Sequence, residues 1–320
     1  MSFIADKQTL DDLNLLGKYK SGSVFHLFNR VQTAGGEKLL EEMFRHPLQD
    51  PEAINQRSRL LLYFQQKPVT FSLNPAQVKA MEHYLGLAGN GSALLTTGST
   101  LRTKLLQLMG VKERHELLIT GMEATKEVLK SFAAVLTTIA ALDPQHPFLE
   151  LVSDNRQLLQ EEQLSLFLLS GPVQQLPVLK LARFDYSLRT ILYEKLKGIL
   201  QNIYLLDVLV SVAVVAREKG FSYAQALPAA ENTIRMQGLY HPGITGAVTN
   251  SVSLHGNSNV IFLTGANMAG KSTFMKSFGI AIYLAHMGFP LAVERMVFSI
   301  RDGLFSSINV PDNLKMGYSH

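Results

Sequence analysis

The stretch Asn259-Val-Ile-Phe-Leu-Thr264, followed by Gly265-Ala-Asn-Met-Ala-Gly270-Lys271-Ser272-Thr273, decides how the chain is read. Its apolar, β-branched run predicts a buried strand, the glycines a tight loop, and Lys271-Ser-Thr-Phe-Met-Lys-Ser-Phe278 a helix. Strand, loop and helix in that order are the setting that a G-x-x-x-x-G-K-[ST] pattern requires. Glycines let backbone N–H groups curl around phosphate oxygens, and the start of a helix adds the positive end of its dipole. In this reading Gly265, Ala266, Asn267, Met268, Ala269, Gly270 and Thr273 belong to the cradle. Lys271 reaches the β and γ phosphates of a nucleotide such as ATP, and the Ser272 hydroxyl sits on Mg²⁺. A glycine-rich turn that binds nothing is the alternative. It is set aside because every fixed position is filled and both flanks are right.

Working outward, 320 residues allow two or more domains, each with its own core. A hydrophobic content of 47% with 18% charged residues describes a packed chain rather than a disordered one. The net charge of +4 permits nucleic acid as a partner without demanding it. There is no cysteine, which excludes disulfides and thiolate metal sites and fits a reducing compartment. Met1-Ser-Phe-Ile-Ala-Asp-Lys7 lacks the pattern of a secretory signal. The apolar stretches near residues 205–216 and 278–293 read as too short or too polar to span a bilayer. The expected location is cytoplasmic, with no membrane partner.

The first 70 residues read as short helices. Thr33 with Glu37 starts one whose apolar face is Leu39, Leu40, Met43 and Phe44, and His46-Pro47 ends it. Asp50-Pro51-Glu52 opens the next, with Ile54, Leu61, Leu62 and Phe64 expected inward. Loops are expected at Asn90-Gly91-Ser92 and Thr97-Gly98-Ser99, and a long helical period over 113–142. From Val178 to Lys219 apolar residues step by threes and fours through Leu181, Leu188, Ile191, Leu192, Ile199 and Leu206. This predicts one continuous helix of about 40 residues, roughly 60 Å long, a strut or lever. After Gly220 and Pro228 the texture changes to short strands, Thr233–Gln237, Gly238–Pro242 and Val252–Leu254, as in an α/β nucleotide-binding sheet.

Thr264-Gly-Ala-Asn-Met-Ala-Gly-Lys-Ser-Thr-Phe-Met275 resembles the Walker A loop of the MutS DNA mismatch-repair ATPases, where Asn-Met within the loop is a characteristic variant. Tyr240-His241-Pro242 resembles the family's His-Pro turn, which brings His241 to the nucleotide. Leu205-Leu-Asp-Val-Leu-Val-Ser-Val-Ala213 is similar to the end of its lever helix, and Thr33–Leu40 with His46–Asp50 to the start of its core domain. Asp312-Asn-Leu-Lys-Met-Gly-Tyr-Ser-His320 resembles the signature loop, so that Asp312, Asn313, Gly317 and Ser319 would touch the nucleotide of a second subunit. Phe148-Leu-Glu150 is not read as a mismatch-reading wedge, because a chance match is expected in a chain with 17 Phe.

The fold that the resemblance implies is mixed. A largely α-helical core and lever domain over residues 1–225, with its long helix at about 178–219, is followed by the N-terminal part of an α/β P-loop ATPase domain over 226–320. The implied function is that of an ATP- and DNA-binding protein in DNA repair or recombination, a homodimer that grips DNA by its backbone. By this resemblance the chain is expected to begin at the core domain, with no counterpart of the mismatch-recognition and connector domains. Tyr240 replaces a common Arg, and Tyr318-Ser-His320 an Arg-Ser-Thr pattern. No apolar strand ending in Asp or Glu follows Thr273, so no catalytic acid is identified here, and DNA-dependent ATP hydrolysis is expected of a protein that continues past His320. The other classes weighed are a small-molecule kinase, for which no substrate pocket is evident, and a structural helical protein with a vestigial nucleotide fold.

Overall fold

The computed structural model describes residues 3–17, 22–71, 73–87, 113–143, 145–266 and 269–308. They form helices with small mixed sheets, in two compact units. One unit comprises Met1–Arg30, Lys38–Pro68 and Val208–His320; the other comprises Val31–Glu37 and Val69–Asp207. This division differs from a split near residue 225. The early segments carry helices and a strand that complete the sheet-bearing unit, so adjacency in sequence does not set the grouping.

Six strands are described: β1 (Ile4–Ala5), β2 (Ala224–Leu227), β3 (Ile234–Leu239), β4 (Asn250–Leu254), β5 (Arg295–Ser299) and β6 (Gly303–Leu304). The larger sheet has the order β2-β5-β3-β4, with β2 parallel to β5, and β3 antiparallel to both β5 and β4. β1 and β6 form a separate parallel pair. Ile234, Met236, Met296 and Phe298 alternate inward, as a sheet with one buried face requires. The helix Lys271–His286 buries Ile280 to His286 without interruption. Asp50 caps the helix Pro51–Gln66 by accepting from the Ala53 N–H at 2.8 Å. From that helix Asn55 exchanges two hydrogen bonds with Ala226 of β2, at 3.0 and 2.9 Å, which occupies the edge of the sheet as a neighbouring strand would. Phe25, Phe28, Phe44 and Phe289 pack edge to face beneath.

In the helical unit, Pro75–Gly86 packs along Glu113–Leu142. At the crossing, a Cβ on Gly121 would lie 2.4 Å from Tyr84 Cβ, so only glycine allows that approach. Asp207 gathers the Gln32 and Thr33 N–H groups and the Thr33 hydroxyl, and Thr33 Oγ1 accepts from the Gly36 N–H at 3.0 Å. That network starts the helix Ala34–Arg45 where the sequence places it. The helix Glu113–Leu142 likewise forms where its period predicts. The loops expected at 90–92 and 97–99 lie outside the described residues.

Four expectations are corrected. The 178–219 segment is not one helix: Val178–Tyr186 runs into a π-turn at Ser187–Ile191, and an α-helix resumes at Tyr193–Lys219. The Leu192 N–H reaches back five residues to the Ser187 carbonyl at 2.8 Å, so an extra residue is accommodated there. Ile191 is turned out and is 51% exposed, while its neighbours Leu188 and Leu192 are buried. The Val260–Leu263 run is not a buried strand. It pairs with no strand among the described residues, and Val260 and Phe262 are 82% and 88% exposed. A strand needs a ladder partner, which composition alone does not supply. Leu62, expected inward, lies at the solvent side of its helix. By length and composition the Tyr193–Lys219 helix could cross a membrane, contrary to the reading of residues 205–216. Most of its apolar window is buried within the protein, as in a core helix.

Candidate phosphate-binding loop

The loop leading into the Lys271–His286 helix is shaped by two glycines. Gly265 has φ 150° and Gly270 φ 87°, a region that favours glycine. Gly270 is the N-cap residue in the left-handed conformation, and no side chain caps the helix. The first-turn N–H groups, which have no intrahelical acceptor, are therefore left for another acceptor. The Ala269 N–H closes the turn onto the Ala266 carbonyl at 3.2 Å, and the Phe274 N–H bonds to Gly270 O at 2.8 Å. Asn267 and Met268 lie outside the described residues.

Lys271 folds back over this loop. Its ammonium donates to the Gly265 carbonyl at 2.5 Å and the Ala266 carbonyl at 3.0 Å. An ammonium carries three N–H donors, so one remains for a phosphate oxygen while the other two hold the loop closed. Ser272 is exposed beside it on the first turn, and Thr273 is half-buried.

A cleft of about 850 Å³ opens over the loop. Thr264, Ala269, Gly270, Lys271 and Thr273 line it, together with His241. The sequence-derived positions Gly265 and Ala266 meet the cleft through Lys271. His241 follows β3, and its Nδ1 accepts from the Gly243 N–H at 3.2 Å, which leaves Nε2 as the donor of a neutral ring. Burial, and secondarily the Lys276 charge, holds the His241 pKa below the ordinary histidine value, so the ring is neutral at pH 7. Asp312, Asn313, Gly317 and Ser319 lie outside the described residues. The segment approaching them is held at Ser306 and Ile308. Their N–H groups donate to Thr9 Oγ1 at 2.8 Å and Asp12 Oδ2 at 2.9 Å, respectively.

Sequence reasoning missed other parts of the lining. Residues 250–253 of β4 and the apolar Ile244 and Val248 line the cleft with Phe274. The turn after His241-Pro242 was a signal for Ile244 and Val248; nothing periodic marked β4 as a wall. Chemically, the cleft offers free helix-start N–H groups and a lysine, together with apolar surface and a neutral imidazole, which suits an anionic head on a flat, apolar body. Among the described residues no group of three or more His, Asp or Glu could hold a metal ion by itself. The exposed Ser272 hydroxyl is the group here that would hold a Mg²⁺ ion, with its remaining ligands supplied from outside the protein.

The family model for MutS domain III matches residues 8–213, and that for MutS domain V matches residues 261–320. The DNA mismatch repair protein MSH7 of Arabidopsis thaliana is 23% identical over 361 aligned positions, covering 98% of this chain and 32% of that protein. The DNA mismatch repair protein MutS of Fusobacterium nucleatum is 29% identical over 153 positions, covering 44% of this chain and 17% of the relative. The endonuclease MutS2 of Thermus thermophilus is 29% identical over 135 positions, 42% of this chain and 18% of the relative. The chain thus spans about a third or less of the length of these curated relatives.

Proposed function

Because this chain belongs to the MutS family of DNA mismatch-repair proteins, we propose that it is an ATP- and DNA-binding protein that works as a dimer in DNA repair or recombination. The observation that carries the nucleotide reading is the uncapped helix start at Gly270, with Lys271 and His241 lining one cleft. The first-turn N–H groups and the remaining N–H of Lys271 would hold the phosphates of ATP. His241 meets the nucleoside end, beside Ile244 and Val248. Ser272 would hold a Mg²⁺ ion, which would supply neutralisation of the charge on the phosphate oxygens. The protein's contribution is to bind and orient: the glycines let the backbone approach, and the lysine keeps the loop closed.

Titration with a fluorescent, non-hydrolysable ATP analogue tests this reading. Lys271→Ala removes the one loop cation and weakens binding by about 10–100-fold, the range for a hydrogen bond to a charged group. Unchanged affinity in a folded Lys271→Ala variant removes the nucleotide reading. DNA binding is proposed through backbone phosphates, so log affinity falls linearly with log salt. A duplex bound with no salt dependence contradicts it. Dimer formation is checked by sedimentation with and without the analogue, and a monomer under both conditions refutes it.

A further inference from the structure

The helical unit carries a second cavity, of about 340 Å³, that the nucleotide reading leaves unused. Leu166, Phe184 and Ile191 supply its apolar lining, and Lys180, Arg183 and Tyr186 its polar side. The π-turn builds one end of it. Ser187 donates to Gln163 Oε1 at 2.8 Å, and Ile191, at the end of the same turn, is directed outward. The apolar surface continues past the cavity by helical spacing. Leu169, 82% exposed, follows Leu166 by three residues, and Leu179, 73% exposed, precedes Arg183 by four. Two helices therefore present an apolar groove rather than a pocket for one small group.

The charged side chains that line this cavity are of one sign. Lys180 and Arg183 are exposed, and Lys180 Nζ stands 5.8 Å from the centre of the Phe184 ring. The nearby cations Arg189 and Lys195 are held by Asp185 and Glu161, whereas neither Lys180 nor Arg183 has an ion-pair partner among the described residues. No carboxylate lines the cavity. The chain's own residues 88–112 do not complement this rim, since they carry Arg102, Lys104 and Lys112 and no acid.

The geometry points to a docking groove for an amphipathic helix of a partner protein, with large apolar side chains on one face and carboxylates flanking them. The apolar side chains fill the space between Leu166, Phe184 and Ile191, and the carboxylates meet Lys180 and Arg183. Such helix-in-groove recognition is read by anchors at i, i+4 and i+7. DNA phosphates suit the two cations but leave the apolar floor unfilled.

The test uses a labelled synthetic amphipathic peptide with Leu at those three positions and flanking Glu, beside a twin carrying Lys in place of Glu. Anisotropy titration on the full chain gives saturable binding of the acidic peptide, about tenfold or more tighter than its basic twin. The double variant Lys180→Glu, Arg183→Glu reverses that preference, and Ile191→Asp weakens both peptides. Circular dichroism and ATP-analogue binding confirm that each variant is folded. Absence of saturable binding, or a preference that survives the double charge reversal, overturns the proposal. So does loss of affinity for a short DNA duplex with the acidic peptide failing to compete, which makes the groove a nucleic-acid contact. Dimerisation abolished by Ile191→Asp also overturns it, because the occupant is then a second copy of this chain.

Discussion

Lowering the pH acts on the buried imidazole of His286. His286, the last residue of the Lys271–His286 helix, has no exposed surface. Its ring lies 4.1 Å from that of Phe3 and 5.1 Å from that of Phe298, centre to centre. The neutral ring uses both nitrogens: Nδ1–H donates to the Leu48 carbonyl at 2.9 Å, and Nε2 accepts from the Arg301 N–H at 3.3 Å. Protonation removes that acceptor and places a charge in an apolar setting. Burial is the main reason that the pKa falls from 6.5 to about 4; the Arg301 charge adds to it, and the bond to Leu48 opposes it. The folded pKa lies below the unfolded one, so the unfolded chain binds the proton first. The stabilisation is therefore complete above about pH 6.5 and is lost as the pH falls toward 4. At 1.36 kcal/mol per pKa unit the loss is about 3 kcal/mol. Urea unfolding of the wild type and of His286→Gln across this range isolates the contribution. The stability difference between the two shrinks by about 3 kcal/mol from pH 7 to pH 4. A difference that stays constant with pH, or a His286 ring signal titrating near 6.5, refutes the argument.

Other expectations follow from the helical unit. Asp185 is wholly buried and accepts from Tyr84 Oη at 2.8 Å and from the Arg189 guanidinium, so Arg189→Met takes away that buried ion pair and costs about 3–5 kcal/mol in denaturant unfolding. A cost under about 1 kcal/mol contradicts this. Lys126 is buried and donates to the Ser170 and Gly171 carbonyls. Lys126→Met orphans them and destabilises by about 1–3 kcal/mol, and an unchanged melting temperature is the opposing result. A Cβ on Gly35 would lie 2.3 Å from Tyr204 Cζ, and the Tyr204 hydroxyl is tied to Glu82. Gly35→Ala therefore costs about 1–3 kcal/mol, and a neutral substitution shows that the ring can move aside.

What was legible in the sequence was local. Thr33, Asp50 and Pro51 mark helix starts because a cap is a contact across three residues, and the start at Lys271 follows from glycines that no other side chain replaces comfortably. The turn bearing His241 was reached by resemblance, and the structure puts His241 and Lys271 in one cleft lining. The π-turn was not legible, because Leu188, Leu192 and Leu196 step by fours whether or not one residue is looped out between them. Ile191 carries the discrepancy, apolar in sequence but outside the core. Val260–Leu263 misled for another reason. Its β-branched character states a preference for pairing, and the partner that satisfies it is a non-local matter on which the run itself is silent. The walls of the cleft formed by β4 were equally hidden, since a strand's alternation does not say which ligand its face looks upon.

The bare Val260–Phe262 ribbon follows the Asn250–Leu254 strand, whose outer edge has no neighbour in the sheet among the described residues. Uncharged and rich in β-formers, it is the kind of segment that recruits its like. Such self-association and the proposed grip on DNA respond in opposite directions to the solvent. Added salt releases a nucleic acid by restoring its counterions, whereas sulfate or phosphate salts drive apolar surfaces together. In a titration with sodium sulfate, a falling signal thus reports the duplex letting go, and rising light scattering reports chains gathering. Phe262→Lys suppresses the second and leaves the first in place.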